Sequence, residues 1–67
     1  MINTNKIKGR MREKELSQAQ AARIMGISPC TLNLKINNAR ATTLDEAEKL
    51  CKLLDIADEE FVHYFFA

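Results

Sequence analysis

The stretch GISPCTL, residues 26–32, decides the fold. Helix-forming sequence stands on both sides of it: QAQAARIM (residues 18–25) before, and PCTLNLKIN (residues 29–37) overlapping and following. The chain therefore stops and restarts a helix within a few residues. Each breaker suits one place. Gly26 tolerates the positive φ common just past a helix end. The Ser28 hydroxyl can cap a new helix, whose first amides lack partners. Pro29 then falls at the first helical position, where its missing N–H costs nothing and its φ is already set. Two short helices joined by about three residues containing glycine form a helix-turn-helix. The same residues also fit an ordinary helical hairpin in a small bundle.

The chain has 67 residues, enough for one domain, and 46% hydrophobic content argues for a folded one. Only two glycines and one proline are present, so few turns are available and helices are favoured. Cys30 and Cys51 form no CxxC pair and His63 is the single histidine, so no zinc pattern exists. No catalytic constellation and no glycine-rich phosphate loop is visible, and no cofactor is expected. MINTNKIKGR (residues 1–10) contains no apolar signal segment, and no apolar run approaches the ~20 residues of a membrane span. The expectation is a cytoplasmic protein with reduced thiols.

Charge is unevenly placed. Residues 1–40 carry eight cations against two carboxylates, a net +6. Residues 41–67 carry two cations against seven carboxylates, a net −5. This asymmetry suggests one half facing a polyanion and another that is solvated or faces a partner. Solvated outer helix faces would also account for it.

Working outward from residue 26, the spacing predicts five short helices and an all-α fold. The first covers about residues 5–15, with Ile7 and Met11 inward, and Leu16 closes it. Ser17 caps the second, whose inner positions are Ala21, Ala22 and Met25, while Ile27 plugs the core from the turn. Leu32 and Ile36 set the inner face of the third, leaving Cys30, Asn33, Leu34 and Asn37 outward. Asn37 and Asn38 suit left-handed backbone in the loop that follows. Thr43 with Glu46 is a capping box opening the fourth helix, with an apolar stripe of Leu44, Ala47, Leu50, Cys51 and Leu54. Asp58 is expected to cap the last, with Ile56 packed in the turn before it. Within that last helix Phe61 and Phe65 should turn inward, Val62 and Phe66 form a neighbouring strip, and Tyr64 lies to the side.

SQAQAARIMGISPCTLNLKINN (residues 17–38) resembles the helix-turn-helix of the Cro and phage-repressor (XRE-type) family. Gln18 matches the glutamine that opens the family's second helix. Ala22 matches the small residue at the helix crossing, Gly26 and Ile27 the turn, and Leu32 the anchor of the third helix. TLDEAEKLCKLLDI (residues 43–56) is similar to the family's fourth helix, so the likeness spans about residues 6–56. TLNLKINNARATTLDEA (residues 31–47) with the terminal YFF looks most like small Gram-positive phage regulators.

The resemblance implies a lambda-repressor-like domain that regulates transcription by binding double-stranded DNA, its third helix in the major groove. Pro29, Cys30, Asn33 and Leu34 fall at positions that read bases, where the family usually carries Gln, Arg, Ser or Asn. Asn33 would pair with an adenine edge, and Leu34 and Cys30 would meet thymine methyls. Phosphates would be met by Gln18, Ser28 and Thr43 at helix starts, and by Lys35, Asn37, Asn38 and Arg40 after the third helix. Capping alone would explain Ser28 and Thr43, solvation would explain Gln18 and Asn33, and a rotated third helix would make Leu34 core. The resemblance also favours a weak two-fold homodimer through Val62, Phe65 and Phe66. Burial of the whole tail along the first helix is the alternative. A second class of function is protein binding by the same fold, as in an antirepressor that pairs with a partner repressor.

Overall fold

Four helix ends in this chain are built alike, and that repeated device sets the architecture. In the computed structural model, which describes residues 1–66, left-handed residues stand at Glu15 (φ 54°), Gly26 (φ 75°), Asn38 (φ 62°) and Asp55 (φ 55°). The amide of the next residue then reaches the carbonyl five positions back: Leu16 to Met11, Ile27 to Ala22, Ala39 to Leu34 and Ile56 to Cys51, at 2.8–3.0 Å. These bonds satisfy carbonyls that a helix end leaves open. At three of the ends the next residue is aliphatic, and Leu16, Ile27 and Ile56 fold back onto the core.

The four helices so ended are α1 (Thr4–Glu13), α2 (Gln18–Met25), α3 (Pro29–Ile36) and α4 (Leu44–Leu54); a 3-10 turn over Asp58–Glu60 and the short α5 (Phe61–Phe65) follow. No strand occurs among the described residues, so the fold is all-α. Side-chain caps define the starts. The Asn3 Oδ1 accepts from the Lys6 amide at 3.2 Å. Ser17 and Gln20 form a reciprocal capping box, as do Thr43 and Glu46. The Ser28 Oγ accepts from the Thr31 amide at 3.1 Å, and Pro29 occupies the first turn of α3.

Ile7, Leu32, Ile36, Leu50 and Leu54 are the largest fully buried side chains, one or two from each of α1, α3 and α4. Ala21 and Ala22 are also fully buried, and their small size lets α2 pack closely on α3. The N-terminal segment ties these elements together. The Asn38 side chain accepts from the Ile2 amide and donates to the Ile2 carbonyl, both at 2.9 Å. The Thr4 hydroxyl donates to the Ile36 carbonyl, and the Asn3 amide donates to the Tyr64 carbonyl at 2.7 Å. Residues 2–4 are therefore a strap joining the end of α3 to α5.

Several expectations change. Leu44 is 62% exposed rather than part of the inner stripe, because it opens α4 one position after its cap. Asp58 caps nothing; it begins the 3-10 turn, whose preceding residue is Ala57. Tyr64 is buried, with the Lys6 ammonium 4.9 Å from its ring centre. Phe65 is buried and stacks on Phe61 at 4.9 Å, so it is core and unavailable to a dimer contact. Val62 and Phe66 remain well exposed. No helix among the described residues is long and apolar enough to cross a membrane.

Candidate nucleic-acid interface

Gly26, Ile27 and Ser28 turn the chain so that α3 packs on α2 through Leu32 and Ile36. The residues of α3 on the other side are then fixed by helical periodicity. Pro29, Cys30, Asn33 and Asn37 are exposed, and Leu34 is half-buried. The Asn33 Nδ2 donates to the Gln18 Oε1 at 3.1 Å, joining the start of α2 to the middle of α3. Asn37 donates to the Asn33 carbonyl at 2.9 Å, a local bond that finishes the helix. The Ser28 hydroxyl donates to the Thr31 Oγ1 at 2.8 Å besides capping α3.

Two residues expected at phosphates have other partners. Lys35 is 8% exposed, and its Nζ donates to the Ala41 carbonyl at 3.0 Å and to the Glu46 Oε1 at 2.8 Å. It therefore points into the protein and shapes the loop after α3. The hydrogen bond from Lys35, with a second from the Thr43 amide, holds the Glu46 carboxyl below its ordinary range. Asn38 has its amide bound to both backbone groups of Ile2, so it is a clasp and not a free donor. Thr43 is exposed and uses its hydroxyl to cap α4.

The basic half of the chain is divided in the same way. The Arg10 guanidinium donates to the Leu54 and Asp55 carbonyls at 2.8 and 2.9 Å, closing the C-terminal end of α4. Lys14 reaches Asp55 at 3.4 Å, and Lys6 lies over Tyr64. Four cations of residues 1–40 are left: Lys8, Arg12, Arg23 and Arg40. They make no ion pair among the described residues. Lys8 and Arg12 line a shallow depression with Gln18, which places two free cations beside the start of α2. The sequence reading overlooked this pair as site residues. The available signal was their i,i+4 spacing on α1.

This is a small all-α protein with a helix pair, an exposed polar-apolar helix face and flanking free cations. The chain belongs to the DUF739 family, described as a protein of unknown function, whose model matches residues 2–67. No curated protein matches it.

Proposed function

We propose that this chain is a cytoplasmic, sequence-specific double-stranded DNA-binding regulator of the Cro or repressor type, with α2 and α3 as a helix-turn-helix and α3 in the major groove. The supporting observation is the exposed face of α3, with the unpaired Arg40 in the loop that follows it and the unpaired Lys8 and Arg12 beside Gln18 at the start of α2. Asn33 suits adenine in detail. One Nδ2 hydrogen is held by Gln18, which fixes the side chain. The second hydrogen and the Oδ1 stay free for adenine N7 and N6. Gln18 keeps its own amide hydrogens for a phosphate. Leu34 and Cys30 supply apolar contact for thymine methyls, and Pro29 and Ser28 approach the backbone at the helix start. Lys8, Arg12, Arg23 and Arg40 provide the phosphate contacts.

A second reading has one observation in its favour. With Lys35 buried, α3 offers no free cation of its own, and its face carries Pro29, Cys30 and Leu34. Such a face suits a protein partner, for example a repressor bound by an antirepressor. Selection of bound sites from random duplex DNA separates the two. A DNA reader enriches one motif, and Asn33→Ala relaxes preference at an adenine in it. A protein binder enriches none, and that result overturns the DNA reading.

A further inference from the structure

A surface cavity of about 650 Å³ opens between α5 and the segment running from Arg40 into α4. Phe61 and Phe66 line it on one side, and Leu44 and Ala47 line it from α4. Arg40 is its one charged side chain among the described residues, and no carboxylate lines it. The half-buried Thr42 adds a hydroxyl. A cleft of a few hundred Å³ with apolar and aromatic walls and a few polar groups has the make-up of a small-molecule site. The depression beside Cys51 differs in kind, since Glu48, Asp55 and Asp58 line it.

We propose that this cavity binds an aromatic monocarboxylate. The ring centres of Phe61 and Phe66 lie 5.7 Å apart at 52°, and Phe66 is 64% exposed, so ring surface is left for a third aromatic group. The Arg40 guanidinium makes no ion pair among the described residues, and its planar fork matches a carboxylate. One cation sets the charge of the ligand at one negative. A second anionic group would stand over apolar surface without a partner. The cation is also held in place: the Arg40 amide donates to the Leu34 carbonyl at 3.2 Å, which ties its backbone to α3. The Asn38 clasp on Ile2 fixes the strap that borders the same cavity. Little ordering is therefore left for binding to impose.

The site is linked to the rest of the molecule through Arg40, which follows α3 in the chain. Resting on the DNA reading above, a bound carboxylate and a DNA phosphate compete for the same guanidinium. Occupancy of the cavity then lowers DNA affinity. Binding in the cavity itself requires no DNA.

Titration of the full chain into 2-naphthoate without DNA tests the proposal. The chain has no tryptophan, so the naphthalene emission is read directly. Saturable one-to-one binding is expected. 2-Naphthamide, which has the same shape and no charge, should bind at least about tenfold more weakly, the effect of losing a charge-assisted hydrogen-bonded pair. Arg40→Gln should bring naphthoate down to the level of the amide, whereas Phe66→Ala should weaken both probes alike. Lys49→Gln, an exposed cation elsewhere on α4, should change neither. Helical circular dichroism of each variant confirms folding, and the comparison of the two probes on the native chain needs no variant. Absence of saturable naphthoate binding overturns the proposal, as does equal affinity of the native chain for the two probes. With duplex DNA, saturating naphthoate should lower the affinity of the native chain and not that of Arg40→Gln. An unchanged DNA affinity with naphthoate bound overturns the assignment of Arg40 to a phosphate and leaves the cavity assignment standing.

Discussion

Removing the Lys35 side chain should cost stability and leave DNA electrostatics untouched. Lys35→Ala deletes an ammonium that bridges Glu46 at 2.8 Å and the Ala41 carbonyl at 3.0 Å. The pair is well shielded, with side-chain exposures of 10% for Lys35 and 20% for Glu46. Breaking a fully buried pair costs about 3–5 kcal/mol, because the surviving charge is stranded. Glu46 keeps some solvent and its hydrogen bond from the Thr43 amide, so a loss of about 2 kcal/mol is expected here. A chain of this size has roughly 3–10 kcal/mol in total. With a urea dependence of about 1 kcal/mol per molar, the unfolding midpoint should fall by about 2 M. Lys35→Met, which keeps the apolar stem, should lose less. Combined with Glu46→Gln it should lose less than the sum of the two, since the pair then disappears together. A midpoint that barely moves in Lys35→Ala, together with a shallower salt dependence of DNA binding, would refute the reasoning and put Lys35 on the DNA.

Acid should weaken the fold through the same pair. The folded-state carboxyl of Glu46 lies below its ordinary value near 4.5, so its stabilisation is present above that pH and is lost as pH falls through the folded value. Urea midpoints measured downward from pH 5 should drop more steeply for the native chain than for Glu46→Gln. The two glycines should respond in opposite senses. Gly26→Ala forces a side chain into φ 75° and should cost about 1 kcal/mol, although no atom lies within 4 Å of the new Cβ. Gly9→Ala, in the interior of α1 and equally free of neighbours, should gain about 0.5–1 kcal/mol, both read from urea unfolding midpoints. Partial burial raises the Cys51 thiol pKa while Cys30 is exposed, so a thiol reagent should label Cys30 faster than the half-buried Cys51. Equal labelling rates in the native chain would contradict the packing of α4.

The local devices were legible because their physics is local. Gly26, Ser28 and Pro29 announced the break, and the Ser17 and Thr43 caps announced two helix starts. The left-handed ends at Glu15 and Asp55 were not legible, since neither residue type demands positive φ. Lys35 was misread for a different reason. It lies three positions after Leu32 and one before Ile36, on the inner flank of α3, and its charge suggested solvent. The partners that pay for its burial, Ala41 and Glu46, are brought to it only by the fold. Asn38 is similar: its left-handed conformation was foreseeable, but its clasp on Ile2 spans 36 positions. The base-reading candidates Pro29, Cys30 and Asn33 remain exposed, whereas the usable cations could be counted only after the internal pairs were known.

DNA binding by the full chain across a salt titration tests the central claim most directly, using fluorescence anisotropy of a labelled duplex. On the DNA reading, with one phosphate for each of Lys8, Arg12, Arg23 and Arg40, the expected slope of log affinity against log salt is about −3.6 per protomer, at ~0.9 for each phosphate. Affinity should then fall about 150-fold per protomer between 50 and 200 mM salt. Arg40→Ala should shallow that slope by about one and weaken specific and random duplexes alike. Binding that is absent at low salt, or flat across this range, would contradict the assignment of this surface to DNA.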